Sequence, residues 1–160
     1  MRIWRSVVMV LVLLSSCDDR RVFEKYADFD DQHWRVSEQP EFDFEITDTL
    51  EHYSIYCNLR NAESYPFSDF RFSYSLTDTT GAVLEQKQIT EYLFDKKSGK
   101  PFGSSGLGDI YDHRFMLLNN YSFPHSGKYI IRFEQFMRAD TLAGILAVGL
   151  RVEKTEKEKK

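Results

Sequence analysis

The residues best suited to chemistry lie in Gly108-Asp109-Ile110-Tyr111-Asp112-His113-Arg114, where two carboxylates and an imidazole stand close together. Such a set can serve acid–base catalysis or hold a cation, so a hydrolase using Asp109, Asp112 and His113 is one reading. The simpler reading is preferred: Asp109 and His113 cap a loop and bond its backbone. The other histidines, His33, His52 and His125, have no ligand spacing. There is no HExxH, no Cys-x-x-Cys, no Gly-x-Ser-x-Gly elbow and no phosphate-binding Gly-x-x-x-x-Gly-Lys-Ser/Thr loop. Gly103-Ser104-Ser105-Gly106 has the look of a nucleophile turn, but such an elbow needs a strand before it and a helix after it. KSGKPF and LGDIYDHR supply neither, so a turn is the reading here. Asp28, Asp30 and Asp31 lack the calcium-loop spacing and read as a solvated turn. No catalytic residue, metal or cofactor is expected.

Cys17 carries a more specific signal. Arg2 and Arg5 precede the apolar run Val7 to Leu14, and small residues then lead to Leu14-Ser15-Ser16-Cys17. The run is far shorter than the roughly 20 apolar residues that a spanning helix needs. Its three-part layout is that of a secretory signal peptide, and its end resembles a bacterial lipobox. In that chemistry the Cys17 sulfur is thioether-linked to diacylglycerol, the signal is cut before it, and the new amine is acylated. Each buried methylene contributes about 0.8 kcal/mol and firm anchoring takes two or more chains, so a matured Cys17 would hold the protein on a membrane. An ordinary signal peptide with a chance cysteine is the competing reading.

The full chain has 160 residues and a formal net charge of −4, with Lys and Arg numbering 21 against 25 Asp and Glu. Loss of Arg2 and Arg5 makes the mature chain more acidic. Its only basic cluster is the C-terminal KTEKEKK, which argues against a nucleic-acid surface. With Cys17 lipidated, Cys57 has no disulfide partner, and its place in HYSIYCNLR points to a buried, inert thiol.

Alternation organises the rest. Phe42, Phe44 and Ile46, then Tyr53, Ile55, Cys57 and Leu59, then Phe70, Phe72, Tyr74 and Leu76 mark strands with one buried face. Further strands are predicted over Val83 to Phe94, Phe115 to Phe123, Lys128 to Met137 and Leu146 to Glu153. Turn chemistry lies at Asp48-Thr49, Tyr65-Pro66, Thr79-Thr80-Gly81 and Ser126-Gly127. No long helix is predicted. The pattern gives an all-β protein, a single jelly-roll-like β-sandwich after the signal peptide, with a barrel as the rival. The expected organisation is signal peptide 1–16, lipidated N-terminus and tether 17–21, sandwich 22–153 and a charged disordered tail 154–160. Asp95 to Asp109, with four glycines and a proline in fifteen residues, is predicted to be a long surface loop. Phe102, Leu107, Asp109, Tyr111, Asp112 and His113 form the candidate interaction loop. Arg138 to Gly144 breaks the alternation and reads as a wide connection or bulge.

Several stretches together resemble the gliding motility lipoprotein GldH family: Asn58-Leu59-Arg60-Asn61, Tyr65-Pro66-Phe67-Ser68, Gly103-Ser104-Ser105-Gly106-Leu107-Gly108-Asp109-Ile110-Tyr111-Asp112, Gln135-Phe136-Met137-Arg138 and Gly149-Leu150-Arg151-Val152-Glu153-Lys154. The resemblance spans nearly the whole mature chain and includes the lipobox. It implies an envelope lipoprotein of Gram-negative bacteria of the gliding lineage, tied to the type IX secretion machinery, with homologues also in relatives that do not glide. The family pattern has Asp-Val-Gly before its Leu-Arg-Ile/Val-Glu ending, where this chain has Ala147-Val148-Gly149. The family offers no catalytic residue, and only Cys17 takes a chemical role from it.

The leading expectation is a non-catalytic, lipid-anchored interaction or scaffold component of the gliding and type IX secretion apparatus. Its expected partners are the membrane, through Cys17, and other envelope proteins, with no nucleic acid and no small-molecule substrate. A carbohydrate-binding sandwich is the alternative, resting on Trp34, Tyr65, Phe67 and Tyr111 as an aromatic platform, although aromatic residues in a sheet protein commonly serve as core. The outer membrane, periplasmic side, is favoured. Asp18-Asp19 directly after the lipid site keeps the inner membrane as the alternative.

Overall fold

Strands form wherever aromatic and β-branched residues alternate with polar ones, because each can then bury one face and solvate the other. The computed structural model describes residues 19–106 and 108–156. Its strands are β1 Arg21–Asp28, β2 His33–Arg35, β3 Glu41–Ile46, β4 Tyr53–Ala62, β5 Asp69–Asp78, β6 Val83–Tyr92, β7 Ser104–Ser105, β8 Ile110–Tyr121, β9 Gly127–Gln135, β10 Thr141–Ala143 and β11 Ile145–Lys154. The described residues contain no α-helix, and Asp30–Gln32 makes a single 3-10 turn.

One sheet has the order β1-β11-β4-β8-β7 and the other β3-β9-β5-β6, while β2 and β10 pair separately. All pairings are antiparallel. When the eight strands of six residues or more are numbered along the chain, the two sheets read 1-8-3-6 and 2-7-4-5, the wrapping of a jelly roll. The sandwich expected from alternation is the one observed.

Aromatic rings fill the space between the sheets. Phe70 stacks on Phe72 at 5.1 Å, Phe72 meets Phe133 edge-on, and Phe123 lies 4.5 Å from Tyr129. Ile55, Cys57 and Leu59 of β4 and Val148, Leu150 and Val152 of β11 close this core from the other sheet. Each such side chain contributes about 1.5–3 kcal/mol through burial. Trp34 is wholly buried, stacked on Phe29 at 4.9 Å and bonded through its indole N–H to the Glu38 carbonyl. It seals one end of the sandwich beneath the β2–β10 pair.

Alternation alone does not reveal three elements. β1 lies at a sheet edge with Lys25 on its core side, opposite Leu150, so its apolar period is broken. The stretch read as a wide connection holds β10, three residues long, paired with β2. The Gly-rich loop carries β7 and a bridge between Phe94 and Pro101.

Replacing Phe72, fully buried at the centre, with Ala is predicted to lower the unfolding free energy by about 3–5 kcal/mol in urea titration. Leu50→Ala, at a residue 89% exposed, stays within about 0.5 kcal/mol of the parent.

Candidate functional site

The cluster that looks most like a site in the sequence is dismantled by strand geometry. β8 begins at Ile110, five residues before the predicted start, so Asp112 and His113 lie on a strand and do not cap a loop. Neighbouring strand residues point to opposite faces. Asp112 therefore faces outward and accepts a 2.8 Å bond from Arg60 Nε, while His113 turns inward and stacks on Phe115. Asp109 is exposed before the strand. The three never form an acid–base set. Among the described residues no group of His, Cys, Asp and Glu is placed to hold a metal ion. Ser104 and Ser105 form β7, with no helix behind them. Leu107 and Cys17 lie outside the described residues. Trp34 and Tyr65 are buried, which removes half of the aromatic platform considered for a glycan.

The structure instead gathers a polar lattice on the outer face of the β1-β11-β4-β8 sheet. Polar residues alternate with core residues on each of these strands, and cross-strand register sets them side by side: Glu24 opposite Arg151, Arg151 opposite Tyr56, Asn58 opposite Arg114, and Arg60 opposite Asp112. Glu24 is the hub. Its carboxylate accepts bonds from Arg151 Nη1 at 3.0 Å, Asn58 Nδ2 at 3.1 Å and Arg21 Nη1 at 3.2 Å. Arg151 also donates through Nε to Glu153 at 2.7 Å, and its side chain is 8% exposed. Arg114 donates to Asn58 Oδ1 and lies over the Tyr56 ring, while Arg60 lies over Tyr26. The bond from Asp112 holds the Arg60 guanidinium more firmly protonated than usual.

Gly149 makes this lattice possible. A Cβ there would stand 2.7 Å from the Tyr26 ring and 2.9 Å from the Lys25 carbonyl, so a larger residue would push β1 away. Ala147 of β11 sits between Asp28 and Arg60. Arg60 takes its carboxylate from Asp112 in this chain.

Beyond the lattice a groove of about 550 Å³ opens beside β8, lined by Tyr26 and Asn58 from the face, Glu91 and Tyr92 from β6, and Phe102, Gly103, His113 and Phe115. His113 is buried, and its Nε2 has no hydrogen-bond partner. Gly103 packs against that nitrogen so closely that a Cβ would reach it at 2.7 Å. Burial lowers the imidazole pKa, with Asp112 opposing weakly, so His113 is held neutral. Burial likewise raises the carboxyl of Glu91 and the thiol of Cys57, leaving that thiol inert. Phe102 stands 62% exposed at the groove, and Tyr111 packs edge-on against Phe94. The arrangement is a continuous hydrogen-bonded polar face beside a groove with apolar walls.

Residues 21–152 match the family described as GldH lipoprotein. The chain belongs to the GldH lipoprotein family. It is 28% identical over 156 residues to the gliding motility lipoprotein GldH homolog of Christiangramia forsetii, covering 93% of each. It is also 28% identical over 165 residues to the gliding motility lipoprotein GldH of Flavobacterium johnsoniae, covering 98% of this chain and 100% of that one. A capsid protein, the VP2 subviral particle of infectious bursal disease virus, matches 94% of this chain and 36% of its own with a TM-score of 0.42 and 13% identity, too slight a likeness to bear on function. The GldH match begins at the first residue of β1 and ends on β11, so it encloses Glu24, Asn58, Arg60, Asp112 and Arg151.

The charges of the lattice were legible only as polar alternation in β4 and β11, and nothing in the sequence marked Glu24 as their common acceptor. His113 yields a pH prediction. The unfolded chain takes up its proton near pH 6.5 while the fold resists it, so stability falls as pH drops below about 6.5. His113→Phe should flatten that part of the stability–pH curve, measured by urea unfolding between about pH 5 and 8.

Proposed function

We propose that this protein is a lipid-anchored, non-catalytic interaction component of the gliding motility and type IX secretion apparatus, carried on the outer membrane and facing the periplasm. The observation that carries the reading is the family match over residues 21–152 joined to the lipobox Leu14-Ser15-Ser16-Cys17. Two relatives that share nearly the full length are named gliding motility lipoproteins, which supports the same process here. Among the described residues no helix is long and apolar enough to cross a membrane, so a lipid on Cys17 would be what holds this chain there.

Lipidation at Cys17 would also orient the body. β1 starts at Arg21, so little tether separates membrane and sandwich. The end carrying Arg20, the 47–52 turn and Asn120 would then lie at the bilayer. The 94–109 loop, the Tyr65 loop and the β2–β10 pair would project from the far end, where protein partners are met. The fixed charges of the polar face, held by cross-strand hydrogen bonds, support recognition.

Mass spectrometry of the membrane-extracted protein tests the anchor. A mature N-terminus at acylated Cys17, with Cys17→Ser left unprocessed or released, is the expected result. Deletion of the gene should abolish surface spreading and lower secretion in a strain that glides; normal spreading and secretion would sink the assignment to this apparatus.

A further inference from the structure

The four long edges of the sandwich are not alike. An open edge presents unpaired backbone N–H and C=O groups, and proteins protect such edges with inward-pointing charges, shortness or exposed charge. On β6, Glu85, Lys87 and Glu91 share the side that faces Leu76, Tyr74 and Phe70, and so point toward the core. On β1, Lys25 does the same opposite Leu150. β3 is six residues long and shows Glu41, Asp43 and Glu45 on its exposed side. Each of these edges repels an added strand.

β8 is different. β7 pairs with it only at Tyr111 and Asp112, after which the Phe102 amide bonds to the Leu93 carbonyl and the chain crosses to the other sheet. Among the described residues no strand pairs with that side of β8 from His113 to Tyr121, and its register with β4 is regular only as far as Met116, beyond which bulges and the positive φ of Asn120 break the edge. The inward residues of the open stretch are His113, Phe115 and Leu117, which carry no fixed charge, and Met116 on the outside is half exposed. The groove beside this edge is walled by Tyr92 and Phe102, exposed by 47% and 62%. Such walls admit one extended chain and obstruct the broad approach of a second folded sandwich. Arg114, with its side chain 49% exposed, donates through Nε to Asn58 and stands 3.9 Å from Glu24 through Nη2, so its guanidinium leaves room for a closer carboxylate.

We propose that the β8 edge over residues 113–117 is a strand-addition site for an extended segment of a partner protein, with aliphatic side chains at alternate positions and a carboxylate beside Arg114. The added strand continues the line of β7, exchanges main-chain hydrogen bonds with β8, and lays its alternate side chains against Phe115, Tyr92 and Phe102. This inference rests on the interaction reading above and names the edge that performs it.

The test uses the full lipidated chain in detergent micelles and an acetylated peptide of alternating Val and Thr with one central Asp, about six residues long. Amide hydrogen exchange is read with and without peptide. The proposal predicts new protection at alternate amides of 113–117, with β1, β3 and β6 unchanged. The same peptide N-methylated on the backbone positions that face β8 keeps its side chains and should bind at least about tenfold more weakly. Leu117→Lys, which gives β8 the inward charge the other edges carry, should weaken binding similarly, and the N-methyl comparison stands even where that variant fails to fold. Equal binding of the N-methylated peptide, protection on another edge, or no protection at saturation overturns the proposal. A concentration-dependent dimer that protects 113–117 without peptide also overturns it, in favour of a second copy. None of these outcomes bears on the spreading phenotype, so the edge and the cellular assignment fail separately.

Discussion

The carboxylate of Glu24 is the contact on which the organisation of this molecule depends. β1 is an edge strand of eight residues with a charged residue on its core side, and by apolar burial alone it would be weakly held. Glu24 ties it to the last strand through Arg151 and to the middle of the sheet through Asn58. Because Arg151 is almost fully buried on that face, its charge requires these acceptors, and removal of one leaves desolvation uncompensated. Gly149 completes the junction by letting the Tyr26 ring lie against β11. The first strand is thereby fastened to the strand that closes the fold, so a load applied at the start of β1 would pass directly into the sheet.

A protein held in this way can serve as a rigid platform, and its surface is organised accordingly. The polar lattice is tied together across four strands, so it offers shape and fixed charge. The edges are protected on three sides and left neutral on the fourth. That asymmetry has a simple physical origin: the 94–109 segment begins to pair with β8 through β7 and then leaves at Gly103, which packs on His113 where no side chain would fit.

Much of the fold was legible in the residues. The alternation of Phe42 to Ile46, Tyr53 to Leu59 and Phe70 to Leu76 returns as β3, β4 and β5, and Asp78 caps its predicted turn by accepting bonds from the Thr80 and Ala82 amides. What escaped was set by tertiary context. The apolar residues of β1, Val22, Phe23, Tyr26 and Ala27, are out of a two-residue period because Lys25 takes a core-side place, and β2 and β10 are too short for a period to show. The early start of β8 was hidden because Gly108 and Asp109 read as the end of a loop, so Asp112 and His113 appeared as neighbours when the pleat sends them to opposite faces. The lattice escaped for the same reason: Glu24 and Arg151 are separated by most of the chain and meet only through the pairing of its two ends. Trp34 serves as core, the reading favoured for the aromatic residues, and packs at the sandwich end.

The measurement that tests this account most directly is a double-mutant cycle on Glu24 and Arg151, using Glu24→Gln and Arg151→Gln with unfolding free energies from urea titration. A junction of the kind described predicts a coupling energy of about 1–3 kcal/mol, well above the roughly 0.3–0.5 kcal/mol within which independent sites add. Additive losses would contradict it, and would mean that β1 is held by its apolar contacts and backbone ladder alone.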